Sequence, residues 1–122
     1  MPHYPRGDSW LKCQIAYRTS KNKLGPALGL AFLRSGLSSD VLCETVGQSS
    51  KTFYDWIFGR AVPQRARWRR IYRITRLLEH ALTNGALPRA EAIGNLEVER
   101  QIITALFAEH GPAIIAATPK TL

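Results

Sequence analysis

Apolar residues recur along most of this chain at spacings of three and four, the period of helices buried on one side. Leu28, Ala31, Phe32 and Leu33 form the first such face. Pro26 suits its first turn and Gly36 its end. Val41, Leu42, Thr45 and Val46 form a second, capped by Ser38 or Ser39 and ended by Gly47. Phe53, Trp56 and Ile57 form a third, capped by Ser49 or Ser50 and ended by Gly59. Pro63 opens a long fourth helix over about residues 64–84, which Asn84-Gly85 stops. After the turn Ala86-Leu87-Pro88, residues 89–94 suit a helical turn of their own. Asn95 caps a last helix over about 96–110, closed by Gly111-Pro112 and followed by an apolar tail over 113–117.

The N-terminal part reads differently. Pro2, Pro5 and Gly7 mark residues 1–9 as a loose arm. Over 10–18 the pattern alternates, with Leu11, Cys13, Ile15 and Tyr17 apolar and Lys12, Gln14 and Arg18 between them. Period two predicts a short half-buried strand. A helix turn through Trp10, Gln14 and Tyr17 is the alternative. The expected fold is therefore all-α, with four to five helices and a short N-terminal β-strand. Three parts follow: a basic arm over 1–23, a helical unit over 24–88, and a C-terminal helix with its tail over 89–122. Neither internal repeats nor low-complexity tracts interrupt them.

Composition narrows the class. A chain of 122 residues suits one domain, and 45% hydrophobic with 21% charged residues is globular rather than disordered. No apolar run approaches the roughly 18 residues of a membrane span. Nor does the N-terminus carry the apolar region of a secretory signal. Cys13 and Cys43 make neither a disulfide framework nor a zinc spacing, so reduced thiols in a cytoplasmic protein are expected. His3, His80 and His110 are far apart, with no HExxH, no GxxxxGK[ST] and no GxGxxG. The expectation is a protein that is not an enzyme, with no metal, no cofactor and no small-molecule ligand.

Charge adds a partner. The net charge is +8, unevenly spread. Residues 1–23 carry +4, residues 24–59 carry −1 and residues 90–122 carry −2. Residues 60–89 hold eight arginines against Glu79, a net of +7. Such a block favours a polyanion. At about 100° per residue, Arg65, Arg69, Arg73, Arg76 and His80 fall within an arc of about 80°. Trp68, Ile71, Ile74, Leu78 and Leu82 fall on the other side. An arginine ridge of this kind gains from phosphates, or from the acidic C-terminal block of another subunit.

Residues 38–63, SSDVLCETVGQSSKTFYDWIFGRAVP, have the spacing of a helix-turn-helix. The small Cys43 lets the next helix cross closely, Gly47 supplies a positive φ, and Phe53 and Trp56 lock the pair. The stretch resembles the Cro/C1 repressor-like, XRE-type helix-turn-helix family of phage and bacterial regulators. Trp56, Gly59, Arg60 and Pro63 continue the likeness, as do Ile71, Ile74 and Leu78 on the next helix. It covers about residues 25–82. It departs at Cys43, where the family often has Ala, and at Gln48, where an apolar residue is common.

The resemblance implies a lambda-repressor-like domain that binds double-stranded DNA sequence-specifically. It implies a transcriptional regulator, a repressor acting as a homodimer on an inverted repeat, with the helix at about 49–58 in the major groove. Gln48, Ser49, Ser50, Lys51, Tyr54 and Asp55 are then the candidates for base edges. Arg18, Lys21, Lys23, Thr52, Arg60, Arg65 and Arg69 are the candidates for phosphates. Leu96, Ile102, Ile103, Leu106 and Phe107 are the candidates for dimerisation, though the same stripe equally suits the monomer core. The alternative function is a DNA-binding adaptor in phage packaging, partition or replication-origin assembly.

Overall fold

Side-chain oxygens start three of the helices. Ser38 accepts from the Val41 N–H, Ser49 from the Thr52 N–H and Asn95 from the Val98 N–H. Of the paired serines in the sequence, the first of each pair is the cap. The computed structural model describes residues 7–89 and 94–122, and all regular structure among them is helical. The order is α1 (Gly7–Thr19), α2 (Leu24–Ser35), α3 (Ser39–Val46), α4 (Ser50–Ile57), a 3-10 turn (Arg65–Arg67), α5 (Trp68–Thr83) and α6 (Leu96–Ala117). None of these helices is long and apolar enough to cross a membrane.

The helix count exceeds the expected four to five because residues 10–18 are not a strand. They lie in α1, which also takes in residues 7–9 of the expected arm. Residues 1–6 of that arm lie outside the described residues, as does most of the turn expected over 89–94. The burial pattern gives the reason. Cys13 and Ala16, three apart, share the inward face of α1, while Leu11 is 54% and Ile15 51% exposed. Alternation of residue type at 11, 13, 15 and 17 did not correspond to alternation of burial.

The last helix also differs. It passes through Gly111-Pro112 and ends at Ala117, so the expected tail is its final turn. Pro112 removes one backbone donor there. Contacts on both sides of it hold the helix in line. The His110 ring packs edge-on against His80 at 4.5 Å, and Arg73 Nε donates to Thr118 Oγ1 at 3.2 Å. Gly111 suits the place before Pro112, since helical backbone there crowds the proline ring against the Cβ of any other residue; beyond its chain neighbours a Cβ would meet nothing nearer than Phe107 Cδ1 at 3.8 Å. Gly111→Ala is therefore expected to change stability by less than about 0.5 kcal/mol, because the gain in helix propensity is offset by crowding of the added methyl against the Pro112 ring. Thermal unfolding checks it, as a Tm within about 2 °C of wild type.

At the centre, α2 packs against α1, α4 and α5. Gly25 and Gly29, one turn apart on α2, admit the C-terminal end of α4. A Cβ on Gly25 would lie 2.3 Å from the Trp56 carbonyl oxygen. One on Gly29 would lie 2.6 Å from Ile57 Cβ and 2.8 Å from Cys13 Sγ. α2 and α4 thus approach closely at glycines, whereas Cys43, expected to permit a close crossing, is only half-buried. Burial pushes the Cys13 thiol up to about 12, so it stays protonated at neutral pH and packs as a small apolar group. Phe53 of α4 meets Phe32 of α2 edge-on at 5.2 Å, and Trp56 and Ile57 complete the seat.

Candidate nucleic-acid interface

α3 and α4 are joined by three residues, 47–49. Gly47 takes φ 72, and its N–H returns to the Cys43 and Glu44 carbonyls. Ser49 then turns the chain into α4. It is committed to that task, because its hydroxyl also donates to Thr52 Oγ1 at 3.1 Å. Among the expected base contacts, Ser50 and Lys51 stand out into solvent, with the Lys51 side chain 87% exposed.

The other candidates on α4 have partners. Lys51 Nζ and Arg60 Nε each lie 2.9 Å from an Asp55 oxygen. Hydrogen bonds from Lys51 first, then Arg60, hold the Asp55 carboxyl below the usual carboxylate range. With its pKa lowered, Asp55 stays ionised above the ordinary carboxylate range, and both pairings loosen only as pH falls through that lowered value. Its chemistry is to aim two cations. The Tyr54 ring stacks on Phe58 at 5.8 Å and sits edge-on to Phe53 at 5.6 Å. Gln48 lines a shallow depression with Asp40, Glu44, Ser50 and Leu96, so carboxylates border that side of α4.

Over the Phe58 ring sit two cations, Lys12 Nζ at 5.8 Å and Arg60 Cζ at 5.2 Å. Lys12 thus joins Lys51 and Arg60 on one basic face. Alternation hid it, because only a helical α1 carries Lys12 to this place.

The expected phosphate contacts do not gather on that face. Arg60 belongs to it, while Thr52 is engaged by the Ser49 cap through both its N–H and its hydroxyl. Lys21 and Lys23 line a separate cleft with Tyr17, Trp68, Tyr72 and Arg76. There Lys23 Nζ donates to the Tyr17 carbonyl. Arg65 and Arg69 lie beside Lys120, and Arg69 Nη2 donates to the Lys120 carbonyl. Arg18 is exposed at the end of α1. The arginine ridge of α5 runs largely along its own chain's C-terminal segment, through Lys120, Thr118 and His110.

The α3–α4 unit is anchored from outside by residues that local sequence does not mark. Glu99 of α6, 1% exposed, accepts from the Ser38 N–H at 2.5 Å and the Ser38 hydroxyl at 2.9 Å. Arg100 clasps Glu44 through Nε at 2.9 Å and Nη2 at 2.7 Å. Arg70 closes the other end of α3, with Nε and Nη2 at 3.0 and 2.7 Å from the Thr45 carbonyl.

The expected dimer stripe is turned inward. Ile102, Ile103 and Leu106 are buried in the monomer core, while Leu96 and Phe107 pack half-buried at its edge. The reason is that α6 spends its apolar face on α3 and α5. Among the described residues, no three or more His, Cys, Asp or Glu cluster as a metal site. Comparison with known proteins returns no matching family model, no matching curated protein and no matching solved structure.

Proposed function

We propose that the protein is a sequence-specific double-stranded DNA-binding regulator, a repressor whose α3 and α4 act as a helix-turn-helix. The carrying observation is α4 itself. It is a short helix seated on α2 by glycine contacts, with Lys51 exposed and aimed by Asp55 beside Lys12 and Arg60. In this reading Lys51 reads a base edge in the major groove, while Lys12 and Arg60 hold phosphates. Ser50 is the second outward side chain at the start of the helix. The carboxylates beside Gln48 disfavour an approaching phosphate backbone there, which supports the Lys51 side of α4 as the one that meets the duplex. Two copies act on an inverted repeat, with Leu11 and Ile15 of α1 as the exposed apolar surface available to join them.

Fluorescence anisotropy with genomic fragments tests the reading. If about six phosphates are neutralised, the log–log salt slope is expected near −5. Lys51→Ala is expected to cost about 1–3 kcal/mol on the preferred sequence and to flatten preference there. Lys12→Ala weakens all sequences alike, and Gln48→Ala changes little. Absence of salt-sensitive binding at low ionic strength overturns the proposal. Sedimentation with and without DNA tests the dimer, for which a 13.7 kDa species alone is the contrary result.

A further inference from the structure

Between α5 and α6 runs a groove of about 610 Å³, which the proposed DNA contact does not use. Its floor is apolar: Ile74, Phe107, Ile114 and Ile115. Four arginines, 67, 69, 70 and 73, form its rim, and among the described residues no carboxylate lines it. We propose that this groove binds an anionic amphiphile, namely a medium-chain carboxylate.

The rim carries the first part of the argument. Arg69 is held by the Lys120 carbonyl, Arg70 by the Thr45 carbonyl and Arg73 by the Thr118 hydroxyl. These neutral acceptors orient the guanidiniums without cancelling their charge. Among the described residues none of the four has a carboxylate partner, whereas Arg60, Arg76 and Arg100 each have one. Four uncompensated cations on one short stretch repel one another, and an entering carboxylate relieves that repulsion with bidentate geometry.

The floor carries the second part. A phosphate backbone satisfies the rim but leaves Phe107, Ile114 and the 55%-exposed Ile115 uncovered. An apolar body attached to the anion covers them. The lining spans residues 66–74 and 107–115, about 12 Å along each helix at about 1.5 Å per residue. That reach suits an acyl chain of medium length. The volume is within the range of about 300–1,000 Å³ typical of small-molecule sites.

The test is a ¹H–¹⁵N NMR titration of the full chain, without DNA, so its outcome is independent of the regulator reading. The probes are decanoate, hexanoate and decyltrimethylammonium, each below its micelle-forming concentration. Decanoate is expected to saturate one site, with shifts at Phe107, Ile114 and Ile115. It should bind at least tenfold more tightly than hexanoate, since each buried methylene is worth about fourfold. The cationic amphiphile is expected not to saturate that site. Arg67→Gln and the exposed-site variant Ile115→Glu should each weaken decanoate at least tenfold with the helical circular-dichroism spectrum unchanged. Equal binding of the cation, equal binding of hexanoate, shifts elsewhere or no binding overturns the proposal. So does binding of an acidic amphipathic peptide where decanoate fails.

Discussion

Gly25→Ala is expected to destabilise the protein by about 3 kcal/mol, at the upper end of what overpacking costs. In a chain of 122 residues that lowers Tm by about 12 °C. Alanine is ordinarily the better helix former by about 1 kcal/mol, and that gain opposes the loss. The clash is larger because the atoms in the way are backbone. The added methyl would stand 2.3 Å from the Trp56 carbonyl oxygen and 2.8 Å from its carbon. No rotamer change moves them, so α2 and the end of α4 must separate. Gly29→Ala meets Ile57 Cβ at 2.6 Å, which the backbone also fixes, and Cys13 Sγ at 2.8 Å; the longer contacts and the movable sulfur make its expected cost smaller. Gly111→Ala, close to neutral, is the internal control. Calorimetry on the three variants separates the cases, and a Gly25→Ala protein as stable as wild type would sink the close α2–α4 crossing. Under the proposed function, this substitution also weakens DNA binding in the folded fraction, because Trp56 seats α4.

The second large effect is expected at Glu99. Glu99→Ala should cost about 3 kcal/mol, combining the loss of a charged acceptor with part of a helix cap. In a local capping box a Glu or Gln three residues after Ser38 accepts the Ser38 N–H. Val41 stands there instead. The acceptor comes from α6, 61 residues along the chain, and both its oxygens are used. Removing it strands the Ser38 N–H and hydroxyl at a part-buried site. Glu99→Gln keeps one acceptor oxygen and is expected to cost about half as much. Urea unfolding at neutral pH measures both. An alanine variant within about 0.5 kcal/mol of wild type would mean that the Ser38 contact contributes nothing beyond an ordinary surface change.

Local signals were readable without coordinates. The spans of α2, α3 and α4 follow from Gly36, Gly47, Ser38 and Ser49, because caps and left-handed glycines act within one turn. Asn95 likewise marks the start of α6. At the candidate interface, the exposure of Ser50 and Lys51 follows once Phe53, Trp56 and Ile57 are assigned inward. Even Gly25 and Gly29 are visible as small residues one turn apart, although nothing local names α4 as the element they admit.

Whatever depends on a distant partner was not readable. α1 is helical because Cys13 and Ala16 face glycines of other segments, Gly29 and Gly59, and that pairing outweighs the alternating pattern. α6 passes its proline because contacts with His80 and Arg73 hold the turns on either side. Ile102, Ile103 and Leu106 serve the interior because α6 folds back over α3 and α5. The same fold-back supplies Glu99 to Ser38 and Arg100 to Glu44. It also sets an arginine rim above an apolar floor, a groove whose two sides lie more than thirty residues apart. Composition and spacing thus determined a mainly helical chain with a basic block, though not the helical state of residues 10–18. Tertiary structure decided which of its charges are aimed, which are neutralised and which are left to meet a partner, because a side chain's charge environment is set by neighbours in space rather than along the chain.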